Sequence, residues 1–119
     1  SAPTLKPIEV VNNKNFNIYN LNITPISYMH AKLQVFGYRF QDFAYLTDLK
    51  IINDMEIKKL NNLEVLVINC IRIEPHYSHF NLNDVLKLVK RIKPKKTILT
   101  NLNSKMDYTS LKKKLPKNI

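Results

Sequence analysis

The stretch FGYRFQDFAYLTD, residues 36–48, decides how this chain is read. Tyr38, Phe40, Phe43, Tyr45 and Leu46 give the aromatic-rich pattern of two strands, and Gln41-Asp42 interrupts it where a tight antiparallel connection would fit. The polar pair Thr47-Asp48 then stops the apolar run. An acid placed where a hydrophobic strand leaves a sheet can be a metal ligand or a catalytic acid. More commonly it is a helix N-cap or an Asx turn, and the local pattern leaves both roles open for Asp48.

Upstream of this stretch the chain meanders. Ile8–Val11, Phe16–Tyr19, Leu21–Ile26 and Leu33–Phe40 read as strands, the last following His30-Ala31-Lys32. A hairpin is expected at Asn20, with Phe16 and Ile18 set against Leu21 and Ile23 at the period of two of half-buried strands. Downstream, Asn53-Asp54 cap a short helix over Met55–Leu60, and Glu64–Ile71 is a continuous apolar run suited to a buried central strand. A loop, Arg72–Phe80, leads into an amphipathic helix over residues 82–92, where Leu82, Val85, Leu86, Leu88, Val89 and Ile92 recur at helical spacing. Pro94 closes it, Thr97–Thr100 forms a short strand, and Tyr108–Leu115 is a final basic helix. Strand and helix alternate from residue 43 onward, which predicts an α+β fold: a mixed sheet with its helices packed on one face. With no internal repeat and no Gly/Ser-rich linker, residues 1–119 form one domain.

Composition excludes more than it identifies. No apolar run approaches the roughly 18 residues of a membrane span, so no membrane partner is expected. The single cysteine, Cys70, cannot form an intrachain disulfide and lies in a buried apolar run, which fits a reducing cytoplasm. A net charge of +10 ordinarily raises an anionic partner, but the excess is mostly lysine, without the bidentate fork that arginine brings to phosphate and bases. A nucleic-acid-binding module would rest on Arg91–Lys96 and Lys112–Lys114, with Tyr108 as the nearby aromatic.

Chemistry has few candidates. The histidines are His30, His76 and His79, each in a connection that follows a strand, a placement suited to a site at one sheet edge. His30 with Asp48 would supply two metal donors, where a zinc enzyme needs about three. His30 also reads as a hydrogen-bonded, partly buried imidazole. His79 precedes the helix start at Asn81-Leu82 and could donate to a substrate phosphate or act as general acid there, or could simply cap that helix. One glycine rules out a Gly-rich phosphate loop, and no Gly-x-Ser-x-Gly elbow is present.

Taken together, several motifs resemble the C-terminal half of metallo-β-lactamase-fold hydrolases, in the branch of phosphoribosyl cyclic phosphodiesterases. They are Ile23-Thr24-Pro25, His30, Phe36–Phe40, Phe43–Asp48, Glu74–Phe80 and Lys93–Thr100, and the similarity runs over about residues 20–117. The resemblance implies half of an αββα sandwich. It matches His30 to a metal-ligand histidine, Asp48 to the aspartate that bridges two divalent ions (Zn or Mn), and His79, with His76 beside it, to the histidine facing the substrate phosphate. It further implies hydrolysis of a phosphodiester by water activated between the two metals. The family's His-x-His-x-Asp-His motif is absent, and Asn101 and Asn103 stand in Thr100–Ser104 where the family carries a histidine. The expectation is therefore a truncated or split hydrolase, inactive alone. Its sheet would be completed by a second copy (a homo-oligomer) or by a separately encoded N-terminal half. A purely structural, self-associating module is the alternative.

Overall fold

In a computed structural model, which describes residues 3–69, 81–100, 113 and 115–119, the aromatic stretch forms the middle of one six-stranded sheet. The strands are β1 (Phe16–Ile18), β2 (Leu21–His30), β3 (Leu33–Phe40), β4 (Phe43–Leu46), β5 (Val65–Asn69) and β6 (Lys96–Thr100), and they lie side by side in chain order. The first four pair antiparallel; β4, β5 and β6 pair parallel. Helix α1 (Asp54–Ile57), prolonged by a 3-10 turn at Lys58–Leu60, connects β4 to β5, and α2 (Leu82–Ile92) precedes β6. This is the α+β mixed sheet expected from the alternation of elements.

Three two-residue hairpins join the antiparallel strands, at Tyr19-Asn20, Ala31-Lys32 and Gln41-Asp42. Each begins with a left-handed residue: Tyr19 (φ 53), Ala31 (φ 54) and Gln41 (φ 49). Such positions ordinarily favour glycine, yet the chain's one glycine, Gly37, lies inside β3 at negative φ. Its reason is space. A Cβ at Gly37 would come within 2.5 Å of Leu46 Cδ2, 2.8 Å of the Tyr45 carbonyl oxygen and 3.0 Å of Tyr28 Cε1.

Alternation divides the sheet into two unlike faces. Ile26 and Tyr28 of β2, Ala44 and Leu46 of β4, and Leu66 and Ile68 of β5 share one face. They form a single buried core with Val85, Leu88, Val89 and Ile92 of α2 and with Leu60 and Leu63 after α1. Both helices cover this face, and Arg91 at the end of α2 reaches Asp54 at the start of α1 across 2.7 Å. The opposite face carries Phe16, Ile18, Leu21, Tyr38, Phe40, Phe43, Tyr45, Val65, Val67 and Ile98. There Phe16 meets Tyr38 edge-on and Phe40 packs on Phe43, while Ile18, Leu21, Tyr38, Tyr45 and Ile98 remain 37% to 42% exposed.

The outer edge of β2 is closed where β1 ends. Alternate residues turn their backbone N–H outward: Pro25 has none to offer, Ser27 donates to the Glu56 carboxylate at 3.2 Å, and Met29 donates to the Ile51 carbonyl at 2.9 Å. Glu56 is itself buried and paired with Lys59 at 2.7 Å. At the other end of the order, Thr97 of β6 donates to the Asn118 carbonyl.

Several expectations need correction. Ile8–Val11 forms no strand: Ile8 and Val11 are exposed and pair with nothing in the sheet. The strand expected to stop at Ile26 runs to His30, so His30 is the last residue of β2 rather than part of a connection. Strand β1 stops at Ile18 because Tyr19 turns left-handed. The expected helix over Tyr108–Leu115 lies outside the described residues apart from Lys113, which is helical, and Leu115, and the loop Arg72–Phe80 lies outside them entirely.

Gly37→Ala should destabilise the fold by about 1–3 kcal/mol, because the added carbon meets backbone and buried side chain in a packed layer. Ala31→Gly, at an open left-handed turn, should be neutral or stabilising by up to about 1 kcal/mol. Paired denaturant titrations of the two variants check both signs; a neutral Gly37→Ala would refute the packing argument.

Candidate functional site at the carboxyl edge of the sheet

Strand direction gathers the candidates. Because β2 is antiparallel to β3 and β3 to β4, strands β2, β4, β5 and β6 all point the same way, and their carboxyl ends share one edge. His30 ends β2, Thr47-Asp48 follows β4, Asn69 ends β5 and Thr100 ends β6. In sheets of this kind such an edge is the usual place for a ligand.

Asp48 is exposed and left-handed (φ 53), a conformation aspartate tolerates better than most residues. It does not cap α1. That role belongs to Asn53, whose side chain accepts the Glu56 N–H at 3.0 Å. On its N-terminal side Asp48 is fixed by Tyr28: the hydroxyl accepts the Thr47 N–H at 2.8 Å and donates to the Thr47 carbonyl at 2.6 Å. On its C-terminal side Leu49 is buried in the core, and Lys50 and Ile51 donate to the Met29 carbonyl at 2.9 and 3.1 Å. Residues 47–51 are thus sewn to residues 28–29, immediately before His30.

His30 is half-buried, and its Nδ1 is buried with no hydrogen-bond partner among the described residues. Asn69 is buried and accepts from the Thr100 hydroxyl at 2.6 Å, closing the edge between β5 and β6. His76 and His79 lie outside the described residues. The helix that follows them is capped by Asn81 and Asp84 in a reciprocal capping box. The basic segment Arg91–Lys96 is partly spoken for: Arg91 pairs with Asp54 and Lys95 with Glu64, each at 2.7 Å. The Arg91 guanidinium, by hydrogen bond and then by charge, holds the Asp54 carboxyl below its ordinary value.

A buried imidazole nitrogen without a partner among the described residues and a strand-end carboxylate at the same sheet edge are donors of the chemistry that zinc or manganese accepts. Their number is short of a complete site. Among the described residues no three His, Cys, Asp or Glu side chains converge on one point.

A family model described as the β-lactamase superfamily domain matches residues 2–100. The chain belongs to this superfamily. Its fold agrees: a new diphosphatase of the PhnP family superposes with a TM-score of 0.86 at 27% identity over 92% of this chain. The metallo-β-lactamase-fold protein YhfI from Bacillus subtilis superposes at 0.71, with 18% identity over 91% of this chain. A relative named octanoyltransferase, from Porphyromonas gingivalis, is 31% identical over 103 residues. The β-lactamase superfamily chain spans 43% and 47% of the two solved structures and 21% of that relative. The superfamily fold and the family's use of divalent metal agree with the resemblance carried by the motifs over about residues 20–117. No helix of the described residues is long and apolar enough to cross a membrane.

Tyr28, which holds the backbone before Asp48, lies outside the quoted motifs, and Gly37 lies within Phe36–Phe40 with no role assigned to it there. A lone glycine inside an alternating strand was the available signal, since it commonly marks a close approach. Burial, opposed by the hydrogen bonds with Thr47, pushes the Tyr28 phenol from 10.0 up to about 12. The unfolded chain therefore ionises first. The stability linked to Tyr28 is complete below pH 10 and is lost as pH rises toward 12, on the order of 2–3 kcal/mol. Tyr28→Phe should cost about 1–3 kcal/mol at neutral pH, and its deficit against the native chain should shrink above pH 10. Urea unfolding of both proteins at stepped pH measures this; a deficit constant to pH 12 would contradict the assignment.

Proposed function

We propose that this chain is one half of a metal-dependent hydrolase of phosphodiester or diphosphate bonds. It would be inactive alone and completed by a partner that carries the other sheet and the remaining metal ligands. One observation carries the reading: the sheet whose carboxyl edge bears His30 and Asp48 leaves its opposite face apolar and partly exposed, from Ile18 across Tyr38 and Tyr45 to Ile98. A face of that character is normally covered. Its five most exposed side chains and the half-buried aromatics among them offer on the order of 400–600 Å², a large part of the roughly 800 Å² per partner of a stable interface.

Support also comes from the relatives. The PhnP-family neighbour is named a diphosphatase, and this chain corresponds to 43% of it. A bound divalent ion supplies Lewis acidity and lowers the pKa of water. The chain's own part is to present the His30 imidazole and the Asp48 carboxylate in a fixed frame, with His76 and His79 as substrate-facing residues after β5. A second copy on the same apolar face is the competing assembly.

The test combines the purified chain with a polypeptide corresponding to the first half of a PhnP-family relative, which carries His-x-His-x-Asp-His. Alone, the chain should bind fewer than two Mn²⁺ ions and leave a model phosphodiester intact. With the added half it should form a 1:1 complex that hydrolyses the ester, and Asp48→Asn should reduce that rate by roughly 100-fold or more. Hydrolysis by the isolated chain with two bound ions would defeat the half-enzyme reading. A metal-independent homodimer that excludes the added half would favour the structural module.

A further inference from the structure

We propose that Tyr28 is a positioning residue, one that sets the Asp48 carboxylate in the same frame as His30 before any metal or partner arrives. The proposal rests on the metal-half reading above. Strands β2 and β4 are not neighbours, since β3 lies between them, so on the N-terminal side of Asp48 the sheet ladder reaches β2 only through an intermediate strand. Tyr28 bypasses that strand. Its ring lies against Gly37 of β3, where a Cβ would stand 3.0 Å from Cε1, and its hydroxyl holds both backbone polar groups of Thr47 at 2.8 and 2.6 Å. Because Tyr28 and His30 are two residues apart on one strand, they share a sheet face, and movement of one strand end is passed to the other.

The return path closes the frame. Leu49 is buried, and Lys50 and Ile51 bond to Met29, so Asp48 is anchored to β2 on both sides while its own carboxylate stays exposed. An exposed, left-handed aspartate with both flanks tied to the strand that ends in His30 is a pre-organised ligand arm. Simple stabilisation of a strand end needs one bond to Thr47; binding both its N–H and its carbonyl fixes the orientation of the following residue.

The experiment is Mn²⁺ titration of the isotopically labelled chain, following paramagnetic broadening at the His30 and Asp48 amides. In the native chain both signals should broaden with one shared midpoint. In Tyr28→Phe, with amide dispersion retained, the midpoint should rise about tenfold and the Thr47 amide should exchange faster with solvent. An unchanged midpoint in folded Tyr28→Phe would make Tyr28 merely structural and overturn the proposal, leaving the metal-half reading intact. No selective broadening in the native chain would overturn the positioning role by itself, because the half-enzyme reading, tested by complementation, allows the isolated chain to bind no ion. If Tyr28→Phe does not fold, p-aminophenylalanine at position 28 keeps the donor to the Thr47 carbonyl but, with its lone pair drawn into the ring, gives the Thr47 N–H only a weak acceptor. A raised midpoint with that variant supports the proposal, and a native midpoint overturns it.

Discussion

The contact between the Tyr28 hydroxyl and the backbone of Thr47 is the constraint on which the rest of this structure depends. It spans an entire strand, passing β3 at Gly37, where a side chain would crowd the Tyr28 ring and clash with Leu46 and the Tyr45 carbonyl. The one glycine in the chain is therefore spent on a crossing point, while turns that usually take glycine are made by Tyr19, Ala31 and Gln41 in left-handed conformations. That arrangement is costly at the turns, about 1–2 kcal/mol for each such residue, and is tolerable because three hairpins of fixed length lock the register of the whole aromatic meander. Register then decides everything else, since a slip of one residue would exchange the two faces of the sheet.

Those two faces have different fates. One is filled by Leu66, Ile68 and the apolar stripe of α2 into a core with nearly no solvent contact. The other is equally apolar in composition and remains partly exposed. The edge of β2, by contrast, is managed carefully: Pro25 removes a donor, the Glu56 carboxylate takes another, and the Ile51 carbonyl takes a third. Among the described residues, the edge of β2 is thus closed against further strands while the aromatic face stays partly exposed.

Much of the fold was legible in residues 36–48 and their surroundings, because alternation, turn residues and a helical stripe are local signals. The Gln41-Asp42 turn, the amphipathic helix over residues 82–92 and the Asn53 cap all follow from patterns a few residues long. The misreadings also have local causes. Ile8–Val11 has strand composition but pairs with no strand among the described residues, and the polar Ser27 disguised the last four residues of a ten-residue strand that tolerates it at its outer edge. His30 and Asp48 could be singled out by residue type and by family resemblance. Tyr28 could not, since nothing in its neighbourhood announces a bond to a residue nineteen positions away.

What the sequence by itself determined is most of the elements from residue 16 to residue 100, the superfamily and the identity of the two candidate donors, since these are written in periodicity and in short motifs. Only the tertiary structure decided that those donors stand at one edge and that residues 47–51 are stitched to β2 immediately before His30. It also decided which apolar face of the sheet stays open. The physical reason is that strand direction and cross-strand contact are non-local: the ladder brings together residues that chain distance keeps apart, and a phenol hydroxyl fixes one of them against the other.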